Sequence, residues 1–360
     1  MFPAQALAEE AKARGWDVLL LTDARGERYA KAFPADEIVL LPAGSPNAAG
    51  IVRKLRAGVS LLHGVSKARK ALRSFEADMV MGFGGYPSAP GMFAAQRRHI
   101  PNALHEQNAV LGRANRFAAG RAHFIAHAFP LLEKLPAGCD VVFETGNPVR
   151  QAVEEAAKRS FAAPAAGEPL RVLVFGGSQG ARLFADVFPK ALARLPDEVR
   201  SRLAVVHQVP DEAAGSARNI YAAAGIEAEI APFFDDLPSR MAQSHLVVAR
   251  SGASTVAEIS TVGRASVLVP LRIAMDDHQR LNAEVLREVG AAEVILEDDL
   301  SVDGALTILA GLLSEPQKLT AMAEGAKGRM KGNAAKRLAD LALATVKGDL
   351  GVAANERAED

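Results

Sequence analysis

A single cysteine, Cys139, in 360 residues leaves no partner for an internal disulfide and too few thiols for a zinc cluster, which suits a reducing compartment. Charge of one sign is missing too: 42 basic and 42 acidic residues give a net charge of zero. No global field therefore draws the chain to nucleic acid, and any basic surface must be local. No apolar run approaches the roughly eighteen residues of a membrane-crossing helix. The N-terminus lacks the basic, apolar, small-residue order of a secretory signal. A cytosolic protein is expected, with membrane contact left to a peripheral patch. Several chemical signatures are absent as well. There is no G-x-G-x-x-G dinucleotide fingerprint and no Gly-Lys-Ser/Thr of a P-loop. There is no D-x-D and no helical His pair, so no metal and no cofactor are expected.

What is present is alternation. The chain is 49% hydrophobic and 23% charged, a globular composition, and its length favours two domains over one core. Short apolar runs alternate with amphipathic helical stretches, the pattern of parallel α/β sheets. Strands are predicted at 17–22, 37–41, 78–82, 102–105, 122–127 and 140–143, and again at 171–175, 203–208, 228–230, 245–249, 266–271 and 292–296. Between the two series lies "SFAAPAAGEP" (160–169), a candidate linker. Each half runs a strand into a similar turn, "MVMGFGGYPSA" and "RVLVFGGSQGA". This weak similarity suggests two doubly wound domains of related build, with ligands at the carboxyl ends of both sheets. The chain opens on a helix, with Pro3 suited to its first turn and Gly15 as its stop. Residues 349–360 read as a disordered tail.

The turns carry the chemistry. In "RVLVFGGSQGARLF" a buried strand ends at Gly176 and Gly177 and a helix begins near Ser178. Glycines allow close approach, while free N–H groups and the helix dipole attract phosphate. The same letters fit the G-x-S-x-G elbow of a serine hydrolase, with Asp235 or Asp236 and then His278 in the required order. A plain glycine turn capped by Ser178 is the third reading. "LVVARSGASTVAEIS" repeats the theme, and Thr255 with Glu258 spells a capping box. Alternatively, Glu258 holds a ribose diol. In "LVPLRIAMDDHQRLNA", Asp276 and Asp277 suit helix caps, while His278 and Gln279 suit sugar hydroxyls. In the first half, "HEQN" (105–108) packs four polar side chains where a strand meets a helix, which favours an open cleft position over core. From Arg53 to Arg73 there are seven Lys/Arg residues and no acid, interleaved with Leu55, Val59, Leu61, Leu62, Val65 and Leu72 and followed by Phe75. This stretch is either a solvated helix or an interfacial patch for anionic lipid.

Seven stretches, in order, carry a resemblance: "GFGGYPSAPG", "LHEQNAVLGRANR", "GNPVR", "VFGGSQGA", "FFDDL", "RSGASTVAEI" and "DDHQRLNA". From residue 1 to about 348 the chain resembles the MurG family of bacterial transferases. These add N-acetylglucosamine (GlcNAc) to undecaprenyl-pyrophosphoryl-N-acetylmuramyl-pentapeptide, lipid I, to give the lipid II of peptidoglycan synthesis. The resemblance implies an α/β fold of two Rossmann-like doubly wound domains facing a cleft, the GT-B type. Residues 1–148, with a returning helix at about 332–347, would face acceptor and membrane, and 149–330 would hold UDP-GlcNAc. It implies that Ser178 and the turn at Gly176, Gly177 and Gly180 face the diphosphate, with Arg150 close by. Phe234 would hold the uracil through its backbone. Ala253, Ser254, Thr255, Val256, Ala257 and Glu258 would cradle phosphate and ribose, Glu258 taking the ribose hydroxyls. His278 and Gln279 would contact the GlcNAc hydroxyls, and Asn108 would reach the donor from the first domain. The Arg53–Phe75 stretch would meet an anionic membrane at the cytoplasmic face of the inner membrane.

The family begins with a strand and a G-G-T-G-G-H loop shortly before the segment that Phe2, Pro3 and Ala4 match. The resemblance therefore implies that this strand, loop and His are lacking, through a late-assigned start or a truncation. An unstable first domain is the expectation. The reaction implied is one inverting displacement at the anomeric carbon, with UDP leaving. The absent His is one candidate general base and Glu106 another, and a non-catalytic UDP-sugar binder is the alternative that the truncation raises.

Overall fold

A computed structural model describes residues 1–30, 33–42 and 51–350, apart from the side chains of 28–29, 51–55, 57 and 178–181. The chain divides into two compact units, Met1–Arg150 with Lys331–Asp360, and Gln151–Met330. The crossings lie after Arg150 and after Met330, not in the Ala/Pro-rich 160–169 segment. That segment belongs to the second unit, where its own Phe161 packs against the core.

In the first unit, β1 (Leu19–Thr22) and β2 (Glu37–Leu40) form a parallel pair. A separate parallel sheet runs β3 (Val80–Gly82), β4 (Asn102–Glu106), β5 (Phe124–His127) and β6 (Val142–Glu144) in that order. β4 and β5 are buried at every position, as expected of central strands covered on both faces. Alternation sorts their side chains. Leu104 and Ile125 pack with Met92 of helix Ser88–Arg97, whereas Ala103, Phe124 and Ala126 pack with Leu338 and Leu341 of helix Ala334–Lys347. That last helix also lies beside the opening helix Phe2–Ala13, and Arg14 just past it reaches Asp340 at 2.7 Å. Leu350 packs against the same cluster. The remainder of the expected tail, 351–360, lies outside the described residues.

The second unit is one parallel sheet of six strands: β7 (Leu170–Phe175), β8 (Leu203–Gln208), β9 (Glu227–Ala231), β10 (Leu246–Ala249), β11 (Ala265–Leu268) and β12 (Ala292–Val294). Their order is β12-β11-β10-β7-β8-β9. The winding direction reverses between β7 and β10, and a doubly wound sheet opens its ligand crevice at the carboxyl ends of such strands. Helix Gly177–Ala193 buries Phe184, Phe188 and Leu192 against Val172, Val174 and Val205, and helix Val302–Leu313 adds Leu309 and Leu312. No helix of the described residues is long and apolar enough to cross a membrane.

Candidate functional site

The turns after β7, β10 and β11 meet at that reversal. A cavity of about 200 Å³ is lined by Phe175, Gly176, Gly177, Arg250, Gly252, Thr255, Leu271 and Gln279. Gly177 has φ +62°, a conformation that strains any side chain. It opens helix Gly177–Ala193, and its N–H donates to Gln208 Oε1 at 3.1 Å. Gln208 Nε2 in turn donates to the Pro232 carbonyl, tying this turn to the 232–234 loop. The Ser178 side chain lies outside the described residues. A second helix, Ala253–Val262, starts at the same cavity with Gly252 as its N-cap. Two helix N-termini therefore face one small space, a setting that attracts a diphosphate.

The capping box spelled by Thr255 and Glu258 is not made. Gly252 holds the cap position, three residues before Thr255. Thr255 instead lines the cavity, while Ala253 and Ser254 are half-buried beside it. Val256, Ala257 and Glu258 are buried. After β11, a short turn at Met275–Asp277 precedes helix His278–Arg287, and Asp276 and Asp277 both adopt positive φ. Gln279 Oε1 accepts from the Leu271 N–H at 3.0 Å, which leaves its NH₂ group as a donor. Ser251 Oγ donates to the Gln279 carbonyl, and buried Asn282 donates to the Ser251 carbonyl. The strand end and the helix start are thus stitched together around Gln279.

The serine-hydrolase alternative fails on geometry. His278 donates its Nδ1–H to the Met275 carbonyl at 2.6 Å, and among the described residues no aspartate takes that proton. Asp236 is held by Arg240 at 2.6 Å, a bond that keeps its carboxyl below the usual range, and Asp277 is held by Arg280. Phe234 is buried with the Arg240 guanidinium 4.4 Å above its ring. Its neighbour Phe233 is exposed.

In the first unit, "HEQN" divides between core and surface. His105 is fully buried, its Nε2–H donating to the Gly146 carbonyl at 3.0 Å and its Nδ1 accepting from Gln107. Burial lowers its pKa to about 4. Glu106 is buried too, against the expectation of an open cleft position. Oε1 accepts from the Asn108 N–H and Nδ2, and Oε2 from the Gly112 N–H and Asn115 Nδ2, at 2.8–3.1 Å. Four donors stabilise the carboxylate and occupy the lone pairs a general base would use. These bonds let Glu106 shape the 106–115 loop and hold Asn108. Arg150 lies with its guanidinium 4.5 Å from the Phe2 ring.

The Arg53–Phe75 stretch lies almost wholly within helix Ile51–Ser74. The side chains of Arg53, Lys54 and Leu55 lie outside the described residues. Val65 and Leu72 belong to the core rather than to an interfacial patch, and Leu61 packs beside them. Val59 and Leu62 are exposed, as are Arg56, Lys67, Arg69, Lys70 and Arg73. Sequence reasoning missed Arg250 and Gln208 as parts of the cavity and its support. A charged residue ending the buried strand "LVVAR" was the available signal for Arg250; Gln208 offered none.

Comparison with known proteins gives this geometry a family. Residues 1–127 match the glycosyltransferase family 28 N-terminal domain, and residues 171–341 match the family's C-terminal domain. A Caulobacter vibrioides UDP-N-acetylglucosamine–N-acetylmuramyl-(pentapeptide) pyrophosphoryl-undecaprenol N-acetylglucosamine transferase is 49% identical over 348 residues, covering 96% of each chain. The transferase of the same name from Mesorhizobium japonicum is 45% identical over 95% of this chain and 91% of its own. The crystal structure of Acinetobacter baumannii MurG superposes with a TM-score of 0.76 at 32% identity, covering 95% of both chains. The chain belongs to glycosyltransferase family 28 and, within it, to the MurG family of N-acetylglucosamine transferases.

Proposed function

We propose that this chain transfers GlcNAc from UDP-GlcNAc to undecaprenyl-pyrophosphoryl-N-acetylmuramyl-pentapeptide. The observation that carries the reading is the cavity at the winding reversal, where Gly177 and Gly252 open two helices onto one space beside Arg250, Thr255 and Gln279. In this reading the acceptor hydroxyl attacks the anomeric carbon with inversion, the bond to the diphosphate breaks, and UDP leaves. Amides and dipoles of the two helix starts stabilise the negative charge that grows on the leaving group. Ser178, with Arg150 of the first unit, serves the diphosphate, the Phe234 backbone serves the uracil and Glu258 the ribose. Gln279 and His278 serve the GlcNAc hydroxyls, and Asn108 of the first unit completes the donor contacts.

The outward face of helix Ile51–Ser74 gives the protein a peripheral hold on anionic membrane at its cytoplasmic side. Val59 and Leu62 enter the interface there, and Lys67, Lys70 and Arg73 meet head groups. Titration calorimetry with UDP-GlcNAc tests the donor site, with UDP-GalNAc as control. Selective, saturable UDP-GlcNAc binding is expected. Equal heats from both sugars, or none, would contradict the assignment.

A further inference from the structure

Glu297 lies outside the cavity and outside every motif that pointed to it. It stands in the short turn Glu297–Asp299 that follows β12. Its Oε2 accepts from Arg250 Nη1 at 2.7 Å and from the Arg272 N–H at 3.1 Å. Arg250 is buried, and the same Nη1 donates to the carbonyls of Val269 and Pro270 at 3.2 and 3.3 Å. Its guanidinium sits 5.1 Å from the Phe184 ring. One residue beyond Pro270, the Leu271 N–H holds Gln279 Oε1. One carboxylate thus fixes two walls of the cavity: directly through Arg250, and through the 269–272 backbone for Leu271 and Gln279.

We infer that Glu297 is a positioning residue for the donor nucleotide sugar, acting through Arg250 and the Leu271–Gln279 pair. The inference rests on the donor-site reading above. A guanidinium held on one side by a carboxylate and two carbonyls keeps a single orientation, so its charge meets the diphosphate at a set place. The backbone tether at Arg272 likewise keeps the Leu271 N–H on the Gln279 oxygen, which aims the Gln279 NH₂ group. Removal of the carboxylate releases both walls together. Nothing in this network belongs to the first unit, so the acceptor side is untouched.

Steady-state kinetics of Glu297→Ala and Glu297→Gln test this, with calorimetry on UDP-GlcNAc alongside. The alanine variant is expected to raise the donor KM and the UDP-GlcNAc Kd about tenfold or more, the size of one lost buried charge-assisted bond. Its lipid-acceptor KM is expected to stay at the wild-type value. The glutamine variant keeps an oxygen that accepts from both partners, so it is expected to restore most of the donor affinity. An unchanged donor KM in Glu297→Ala overturns the inference, as does an equal rise in both KM values, which marks a general loss of structure. If Glu297→Ala does not fold, Glu297→Asp carries the same test, and an unchanged donor KM in that variant overturns the inference. Failure of the wild-type chain to bind UDP-GlcNAc refutes the donor-site reading itself, a result distinct from wild-type binding with an indifferent variant.

Discussion

Glu106 shows how much a side chain's partners decide. A carboxylate at the end of a buried strand is a natural candidate base until its four donors are counted. Glu106→Gln replaces two acceptor positions with an NH₂ group facing donors, at a cost of about 1–3 kcal/mol. The variant is expected to lower kcat/KM through a loosened Asn108 while leaving the pH–rate profile in place. Loss of the profile's acidic limb in this variant would show Glu106 to be the base. Gly177 makes a different point. A methyl group there meets no atom within 4 Å among the described residues, but φ +62° strains the backbone of a residue that lines the cavity. Gly177→Ala is therefore expected to weaken UDP-GlcNAc binding clearly while destabilising the second unit by only about 1 kcal/mol. Calorimetry beside thermal melts checks the pair. Gly177, Thr255 and Gln279 stand in stretches that follow the buried strands β7, β10 and β11, which made them readable as cavity-lining candidates. Arg250 and Gln208 were not, since their roles depend on partners 19 or more residues away.

At the scale of elements, every strand expected from alternating apolar runs is present, with ends shifted by at most three residues. Parallel strands buried on both faces leave an apolar signal strong enough to read. Caps were less legible, because Gly252 supplied the helix start that Thr255 and Glu258 seemed to spell. Least legible was the point where three helices end. Arg264, fully buried, donates to the carbonyls of Val262 and Gly263, of Arg159 and of Ala242. These close helices Ala253–Val262, Gln151–Ala157 and Leu237–Gln243. Burial, with Arg159 nearby, brings its pKa down to about 10, so it stays charged at neutral pH. The cation suits the negative ends of three helix dipoles. Arg264→Met strands these carbonyls and is expected to cost the second unit about 3 kcal/mol or more. Urea unfolding followed in that unit measures it, and a midpoint equal to wild type would show the carbonyls find other donors.

For the whole molecule, buried histidines set the acid limit. His105 in the first unit and His207 and His245 in the second are pushed by burial to about 4, 3 and 4. Each binds a proton more readily unfolded, near pH 6.5, than folded. Their contribution is therefore full above pH 6.5 and is lost as pH falls through the window down to about 4. Each costs about 1.4 kcal/mol per pH unit inside that window. Both units are expected to lose stability between pH 6.5 and 4.5. Denaturant midpoints across that range check this, and a flat profile would contradict the neutral, buried assignment. The two-domain plan was readable from the doubled strand series. The crossing points were less so, because the Ala/Pro-rich 160–169 segment imitates a linker within the second unit.

The most direct test of the account is conversion of the lipid. Purified chain is incubated with UDP-GlcNAc and undecaprenyl-pyrophosphoryl-N-acetylmuramyl-pentapeptide, and the lipid is followed by mass spectrometry. The account predicts a product heavier by one N-acetylhexosamine, formed in step with UDP release and abolished by omitting either substrate. UDP release at the same rate without the lipid, or unchanged lipid while UDP-GlcNAc binds, would contradict it.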